Sequence, residues 1–142
     1  GVTVLQVVPS LLRVLLDDRA RHVLGGLRWL IPTGEELPVD LCRRWFEVHA
    51  HVPLANAYGP AECSDDTHIA FIREPPPRGV RAVSVGTPIA NARSYVLDED
   101  QRPVPAGSVG ELYVGGVVVG RGYLADARAT AAAMSRELLS AG

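Results

Sequence analysis

Lysine is absent from this sequence, and all fourteen of its basic side chains are arginines. If a chemical step needs a lysine amine, that lysine must therefore come from outside these 142 residues. The net charge is −2, and no polybasic segment occurs. A nucleic-acid partner is therefore not expected, because such surfaces are strongly basic.

Cysteine is scarce as well. Cys42 and Cys63 have neither the density of a disulfide scaffold nor the spacing of metal ligands, which predicts reduced thiols and a cytoplasmic protein. His49 and His51 lie two residues apart, but no third ligand stands nearby in sequence, so we place them at a helix end and a strand start. No apolar stretch reaches the length of a membrane span, so no membrane partner is expected.

The first half of the sequence alternates between strand and helix patterns. Apolar runs predict strands at Val2–Val8, Leu27–Ile31 and Val52–Ala57, the first of them buried on both faces of a sheet. Pro9 opens a helix that runs to Leu16, and Pro38 opens a second helix with an apolar face. This alternation predicts an α/β fold with a parallel sheet and flanking helices.

The second half has a different character after three consecutive prolines, Pro75 to Pro77. Short strands are predicted at Ser94–Leu97 and Leu112–Val114, and an alanine-rich helix at Ala125–Leu139. We therefore divide the chain into a parallel α/β part, residues 1–74, and a β-rich part that ends in a helix, residues 75–142. Both are interpreted as parts of one domain.

The segment from Asn56 to Glu62 carries the chemistry of greatest interest. Gly59-Pro60 forces a sharp turn after an apolar run, which places the flanking side chains at a strand end, where open α/β sheets bind ligands. Tyr58 offers a ring for stacking on a base, the Asn56 amide both donates and accepts, and Glu62 offers hard oxygen atoms to Mg²⁺. Taken alone, the same residues also fit an ordinary surface turn.

A second segment makes the functional interpretation stronger. It reads Gly-Glu-Leu-Tyr-Val-Gly-Gly from Gly110 to Gly116 and continues after three valines as Gly-Arg-Gly-Tyr-Leu from Gly120 to Leu124. The two segments occur together far more rarely than either does alone.

Together they resemble the adenylation domains of nonribosomal peptide synthetases, within the larger group that includes acyl-CoA synthetases and firefly luciferase. That family's motifs read Asn-x-Tyr-Gly-Pro-Thr-Glu, and Gly-Glu-Leu-x-x-x-Gly followed by Ala-Arg-Gly-Tyr. The sequence departs from them at Ala61, where the family has Thr, and at Gly120, where it has Ala. The segment Leu27–Leu37 resembles the family's strand and glycine turn beside the substrate. Val118 replaces a residue that is often small in the family.

The resemblance implies a partial adenylate-forming core followed by part of a β-rich subdomain. The family's domains are several times longer, and this chain begins without Met, so we expect an internal piece of such a domain. The resemblance also implies that a lysine on a mobile C-terminal domain completes the active site. The lysine-free sequence has no residue for that role.

The resemblance implies ATP and Mg²⁺ as cofactors. Asn56 would read the adenine edge, Tyr58 would stack on the ring, and the backbone around Gly34 and Gly59 would approach the ligand closely. Glu62 would hold the metal and support catalysis electrostatically. The nucleotide-binding set implied by the motifs comprises Gly34, Asn56, Ala57, Tyr58, Gly59, Pro60 and Ala61.

The same resemblance implies a set of substrate-binding positions, which include the adjacent acids Asp65 and Asp66. Two adjacent acids in a closed pocket suit a cationic or strongly hydrogen-bonding amino acid, because a buried carboxylate is costly unless a partner neutralises it. The alternative is that one or both acids face solvent, as Asp usually does. The complete set of implied substrate-binding positions is Gln6, Ile31, Thr33, Ala57, Asp65 and Asp66.

The implied activity is ATP-dependent formation of an aminoacyl adenylate. The aminoacyl group would then pass to a phosphopantetheine thiol on a peptidyl carrier domain, with neighbouring synthetase domains as further partners. An acyl- or aryl-CoA ligase of the same group is the first alternative, although Asn56 and Pro60 favour the peptide-synthetase branch. A folded but non-catalytic remnant is the second, because Ala61 lacks a hydroxyl that contacts phosphate or helps to place the metal.

Overall fold

The computed structural model describes residues 1–17, 24 and 26–134. Its strands, with short labels, are β1 (Val4–Val7), β2 (Trp29–Pro32), β3 (Leu54–Tyr58), β4 (His68–Ile72), β5 (Thr87–Pro88), β6 (Ala92–Leu97) and β7 (Glu111–Gly116). Its helices are α1 (Pro9–Asp17), α2 (Val39–Val48) and α3 (Ala127–Ala133), and a 3₁₀ turn spans Ala61–Cys63.

The larger sheet has the strand order β1-β2-β3-β4-β5. Its first three strands are parallel, which confirms the predicted α/β arrangement. Strands β4 and β5 were not predicted, and both add in antiparallel fashion, so the sheet is mixed. Strand β5 follows the triple proline, and the first sheet therefore includes residues from both sides of the predicted boundary at residue 74.

Helices α1 and α2 cover one face of this sheet. Leu12, Leu16, Leu41 and Trp45 are almost completely buried between them and the strands. The Trp45 indole Nε1 donates to the carbonyl oxygen of Val52 at 2.8 Å, which satisfies the polar atom of the largest core side chain.

The opposite sheet face is covered only in part by the described residues. Val4 is 50% exposed and Phe71 is 65% exposed. The prediction that the first strand is buried on both faces is therefore wrong within the described residues, because Val4 and Gln6 are exposed on β1 and both packing helices lie on one side.

The remaining elements follow the predictions in part. Strands β6 and β7 form a separate antiparallel pair, as expected for a β-rich part. Helix α3 lies within the predicted terminal helix Ala125–Leu139 but ends at Ala133, where the extended Met134 is its C-cap; the prediction beyond residue 134 lies outside the described residues. His49 caps the end of α2, and His51 lies in the turn before β3, close to their predicted places.

Both cysteines are free and buried, in agreement with reduced thiols. Burial raises the pKa of the Cys42 thiol to about 11, so this thiol is protonated and unreactive at neutral pH. No helix within the described part of the chain is long and apolar enough to cross a membrane.

Candidate nucleotide-binding site

The candidate site lies where the three parallel strands end. The Thr33 backbone N–H donates to the Val7 carbonyl oxygen at 3.2 Å, which draws the end of β2 against the end of β1. A cavity of about 350 Å³ opens beside these strand ends. It is lined by residues 34–37 after β2, residues 56–59 at the end of β3, and Val83 and Val85 from a later loop. Carboxyl ends of parallel strands are the usual ligand site of α/β sheets.

Asn56 lies at the base of this cavity and is only 3% exposed. Its Nδ2 donates to the Ser84 carbonyl oxygen at 2.8 Å. The Ser84 hydroxyl in turn accepts a hydrogen bond from the Gly86 backbone N–H at 2.9 Å. The asparagine thereby holds the loop around Ser84 against the cavity. Sequence reasoning missed Ser84, because no motif marks it.

Tyr58 combines a fixed backbone with an accessible ring. Its carbonyl oxygen accepts from the Thr67 backbone N–H at 2.7 Å and from the Thr67 hydroxyl at 3.2 Å. The Tyr58 side chain remains 40% exposed and lines the cavity. Behind it, His68 is buried, and this burial lowers the pKa of its imidazole. A neutral histidine therefore lies next to the ring, 6.0 Å between centroids.

Gly59 allows the turn to close on itself. A Cβ atom built at Gly59 would lie 1.8 Å from the Asp65 carbonyl oxygen, so no other residue fits without a backbone shift. Pro60 follows, and its carbonyl oxygen accepts from the Cys63 backbone N–H at 2.9 Å to form the 3₁₀ turn. Ala61 is exposed on that turn and offers no polar side-chain atom.

Glu62 is the point where the two sequence motifs meet. Its carbonyl oxygen accepts from the Gly120 backbone N–H at 2.7 Å, and its Oε1 accepts a hydrogen bond from the Tyr123 hydroxyl. The Tyr123 bond, followed by the backbone N–H of Glu62, holds the pKa of the Glu62 carboxyl below its ordinary value. The sequence contained both motifs, but nothing local indicated that Tyr123 contacts Glu62.

The six predicted substrate positions lie on three strands, a strand end and one loop. Gln6 and Ile31 are partners in the register of β1 and β2, and Ala57 is buried on β3. The structure links Gln6 to Asp65 through a long 3.5 Å contact from Nε2 to Oδ2, and Thr33 to Asp66 through a 2.7 Å hydrogen bond from Oγ1 to Oδ1.

The two acids differ in their environment. Asp66 is half-buried, whereas Asp65 is exposed and has a positive φ of 85°, a left-handed conformation that Asp tolerates better than most residues. The expectation that acids face solvent therefore describes Asp65 better than Asp66.

Glu35 in the cavity wall has a structural duty that the sequence did not reveal. Its carboxylate accepts from the backbone N–H and the hydroxyl of Ser10, at 2.9 and 2.8 Å. A carboxylate at the start of α1 is favourable because it satisfies an otherwise free N–H group. The glycine turn at Gly34 is thereby fastened to the first helix.

Known proteins with similar sequences agree with these features of the site. The family model for AMP-binding enzymes covers residues 1–124. The chain is 42% identical over 125 residues to the indigoidine synthase of Dickeya dadantii and 44% identical over 131 residues to the phosphinothricin tripeptide synthetase PhsB of Streptomyces viridochromogenes. It is covered to 87% and 92% in these matches, but spans only 8% and 11% of the two relatives' lengths.

Solved structures agree with the fold. The crystal structure of IdnL1 superimposes with a TM-score of 0.85 at 28% identity, over 94% of this chain and 28% of that chain. The nonribosomal peptide synthetase FmoA3 in its alpha-methyl-L-serine-AMP-bound form gives 0.82 at 32% identity, over 92% of this chain and 15% of that chain. The chain therefore belongs to the AMP-binding enzyme family, and its resemblance to the adenylation domains of nonribosomal peptide synthetases is confirmed.

Proposed function

We propose that the chain is part of an amino-acid-activating adenylation domain, which joins the carboxylate of an amino acid to the α-phosphate of ATP and releases pyrophosphate. The observation that carries this proposal is the cavity at the strand ends, with the Asn56–Gly59 motif on one side and the Gly34 turn on another. The related FmoA3 structure, which holds alpha-methyl-L-serine-AMP, supports it.

The nucleobase would lie between Tyr58 and Asn56. The exposed Tyr58 ring offers a stacking surface that any base can use. One N–H of Asn56 Nδ2 is committed to the Ser84 carbonyl oxygen, which leaves Oδ1 as an acceptor and the second N–H as a donor, a pair that matches the amino group and a neighbouring ring nitrogen of adenine. An oxygen acceptor suits the exocyclic amino group of adenine and repels the carbonyl oxygen of guanine. Adenine is therefore the base that this site favours.

Glu62 fits a role in binding Mg²⁺. Its carboxylate is ionised, and Mg²⁺ is commonly held by one or two carboxylates together with phosphate oxygens and water. Among the described residues there is no cluster of three or more metal-ligating side chains, so most ligands would come from the nucleotide and water. When bound, the ion neutralises charge on the phosphates during displacement.

No side chain of this chain forms a covalent bond in the proposed reaction. An oxygen of the amino acid's carboxylate attacks the α-phosphorus, the bond from that phosphorus to the bridging oxygen breaks, and pyrophosphate leaves with the electron pair. The protein contributes by aligning two anions and stabilising the charge that develops. Ala61 would contribute through its backbone only.

The amino acid would lie between the ends of β1 and β2 and the loop that carries Asp65 and Asp66. The Thr33 hydroxyl donates a hydrogen bond to one carboxylate oxygen of Asp66 and thereby fixes the orientation of this carboxylate. This supports Asp66 as the group that recognises a basic or strongly polar side chain of the substrate. Ile31 and Ala57 would form the apolar wall. Gln6, whose contact with Asp65 is long, would adjust to the substrate.

The proposal also covers the partner domains of the chain and the division of the chain into two parts. The aminoacyl group would pass to the phosphopantetheine thiol of a peptidyl carrier domain, inside a cytoplasmic synthetase with further domains. The lysine that completes the site would come from another part of the protein. Residues 1–74 and 75–142 would form two parts of one AMP-binding domain.

Amino-acid-dependent ATP/pyrophosphate exchange by the full-length protein tests the proposal. Basic, polar and apolar amino acids and fatty or aryl acids are compared, with Glu62→Gln as the inactivating variant and Glu99→Gln, in an exposed turn, as its matched control. We expect exchange with one class of amino acid, lost in the first variant and kept in the second. Exchange only with fatty or aryl acids would identify a CoA-ligase type, and no exchange with any acid would favour a non-catalytic remnant.

A further inference from the structure

We propose that Tyr123 is a positioning residue that orients the Glu62 carboxylate toward the metal-nucleotide complex. This inference rests on the proposed function. It starts from the hydrogen bond between the Tyr123 hydroxyl and Oε1 of Glu62, two residues that lie 61 positions apart in sequence. Because Tyr123 occupies Oε1, we assign Oε2 to the cation.

The contact belongs to a wider attachment between the two motifs. The Gly120 backbone N–H donates to the Glu62 carbonyl oxygen at 2.7 Å, so Glu62 is held through its backbone as well as its side chain. A Cβ atom at Gly120 would lie 2.9 Å from that carbonyl oxygen. The absence of a side chain at Gly120 allows the two segments to approach this closely.

Tyr123 is itself anchored, so its ring is not a loose surface group. Its backbone N–H donates to the Thr130 hydroxyl at 2.9 Å, and that hydroxyl donates to the Asp126 carbonyl oxygen at 2.8 Å. The Asp126 side chain caps α3 by accepting from the Ala129 backbone N–H at 2.8 Å. The position of the phenol is therefore set by the first turn of α3.

Because Tyr123 is exposed, its role in orienting Glu62 can be tested without disturbing the packing of the core. The side chain is 41% exposed, and no residue of α3 is buried, so loss of one hydroxyl should leave the hydrophobic core intact. A carboxylate without this partner samples more rotamers and must be ordered when the metal binds. Residues that orient a metal ligand in this way commonly change metal affinity by about 10- to 100-fold.

The test measures nucleotide binding with and without metal in the full-length protein. Titration calorimetry gives the Kd of the nonhydrolysable analogue AMPPNP in excess Mg²⁺ and in EDTA, for the wild type and for Tyr123→Phe. We expect the variant to weaken the Mg²⁺-dependent binding by about tenfold and to leave binding in EDTA unchanged. Tyr113→Phe is the matched control, because Tyr113 also donates to a glutamate, Glu111, at 3.4 Å on strand β7.

Two outcomes would overturn the inference. One is a Tyr123→Phe protein with the wild-type Kd in Mg²⁺, and the other is an equal loss of affinity in Mg²⁺ and EDTA, which would indicate a purely structural bond. In the Glu62→Gln background, adding Tyr123→Phe should change neither Kd. If Tyr123→Phe lowers the thermal midpoint strongly, Thr130→Val, which removes the anchor of Tyr123, must show the Mg²⁺-specific loss instead.

The result also separates this inference from the proposed function. A wild-type protein that does not bind AMPPNP, or binds it equally with Mg²⁺ and EDTA, contradicts the proposed function and the inference with it. A wild-type protein that prefers the Mg²⁺ form, combined with an unchanged Tyr123→Phe variant, contradicts the positioning role alone.

Discussion

Asn56 donates from Nδ2 to the carbonyl oxygen of Ser84, a residue 28 positions further along the chain, at 2.8 Å. A carbonyl oxygen accepts and never donates, so this contact fixes which end of the amide faces Ser84. The amide oxygen is thereby left for a ligand in the adjoining cavity. The backbone at Ser84 thus orients the group that we propose to read the nucleobase.

Base selectivity follows from this orientation. ATP should support exchange, whereas inosine triphosphate, which carries a carbonyl oxygen in place of the adenine amino group, should bind more weakly by about tenfold or more. The exchange assay is run with each nucleotide in turn, and the ratio of the two KM values measures the difference. Equal KM values for ATP and inosine triphosphate would contradict the proposed role of the Asn56 oxygen.

Replacing Asn56 by Asp removes the donor and keeps the shape. The Ser84 carbonyl oxygen would then face the carboxylate of a buried residue instead of an N–H group, at a cost of about 1–3 kcal/mol. We expect a lower thermal midpoint for the full-length protein and weaker ATP binding. Asn91→Asp is the matched control, because Asn91 is exposed in a turn and should show neither effect.

Tyr58 should act through its ring and not through its hydroxyl. Tyr58→Phe is therefore expected to keep the wild-type KM for ATP, whereas Tyr58→Ala should raise it by about tenfold, since stacking on a base contributes about 1–3 kcal/mol. Steady-state exchange at varied ATP measures both. A large effect of Tyr58→Phe would show that the hydroxyl takes part in binding.

Gly59 should tolerate no side chain. In Gly59→Ala the new Cβ atom would start 1.8 Å from the Asp65 carbonyl oxygen, so the turn must open. We expect nucleotide binding to be lost and the thermal midpoint to fall. Gly26→Ala is the matched control, because the nearest atom to a Cβ at Gly26 is 3.8 Å away. Normal binding by Gly59→Ala would mean that the turn is more pliable than its geometry indicates.

Asp66 should decide the choice of amino acid more strongly than Asp65. If the substrate is basic, Asp66→Asn should lower kcat/KM for it by about 10- to 100-fold, the usual range for a lost contact between charged groups. Asp65→Asn should have a smaller effect, because Asp65 is exposed and its contact with Gln6 is long. An unchanged substrate profile in Asp66→Asn would exclude this residue from recognition.

The accuracy of the sequence-based predictions depended on how local each signal is. Strands β1 to β3 and helices α1 and α2 were predicted because their apolar periodicity, proline starts and turn residues lie within single segments. Strand β4, His68–Ile72, lacks a clear alternation, and β5 has only two residues, so neither had a local signal. Their antiparallel pairing depends on partners elsewhere in the chain.

The same division holds for the candidate site. The motif residues Asn56, Tyr58, Gly59 and Glu62 were identified from the sequence, because their order along a few residues is itself the signal. The hydrogen bonds of Asn56 to Ser84 and of Glu62 to Tyr123 were not predicted. A bond between residues 28 or 61 positions apart leaves no periodicity or spacing to read.

Sequence alone therefore determined the family motifs, the lysine-free composition and the alternation of the first strands and helices, since each is a property of residues close together in the chain. Tertiary structure decided that the sheet is mixed, that Thr33 pairs with Asp66, and that the two motifs meet at Glu62. These contacts form only when packing of the core brings distant segments together, and the surfaces that pack are shaped by the whole chain.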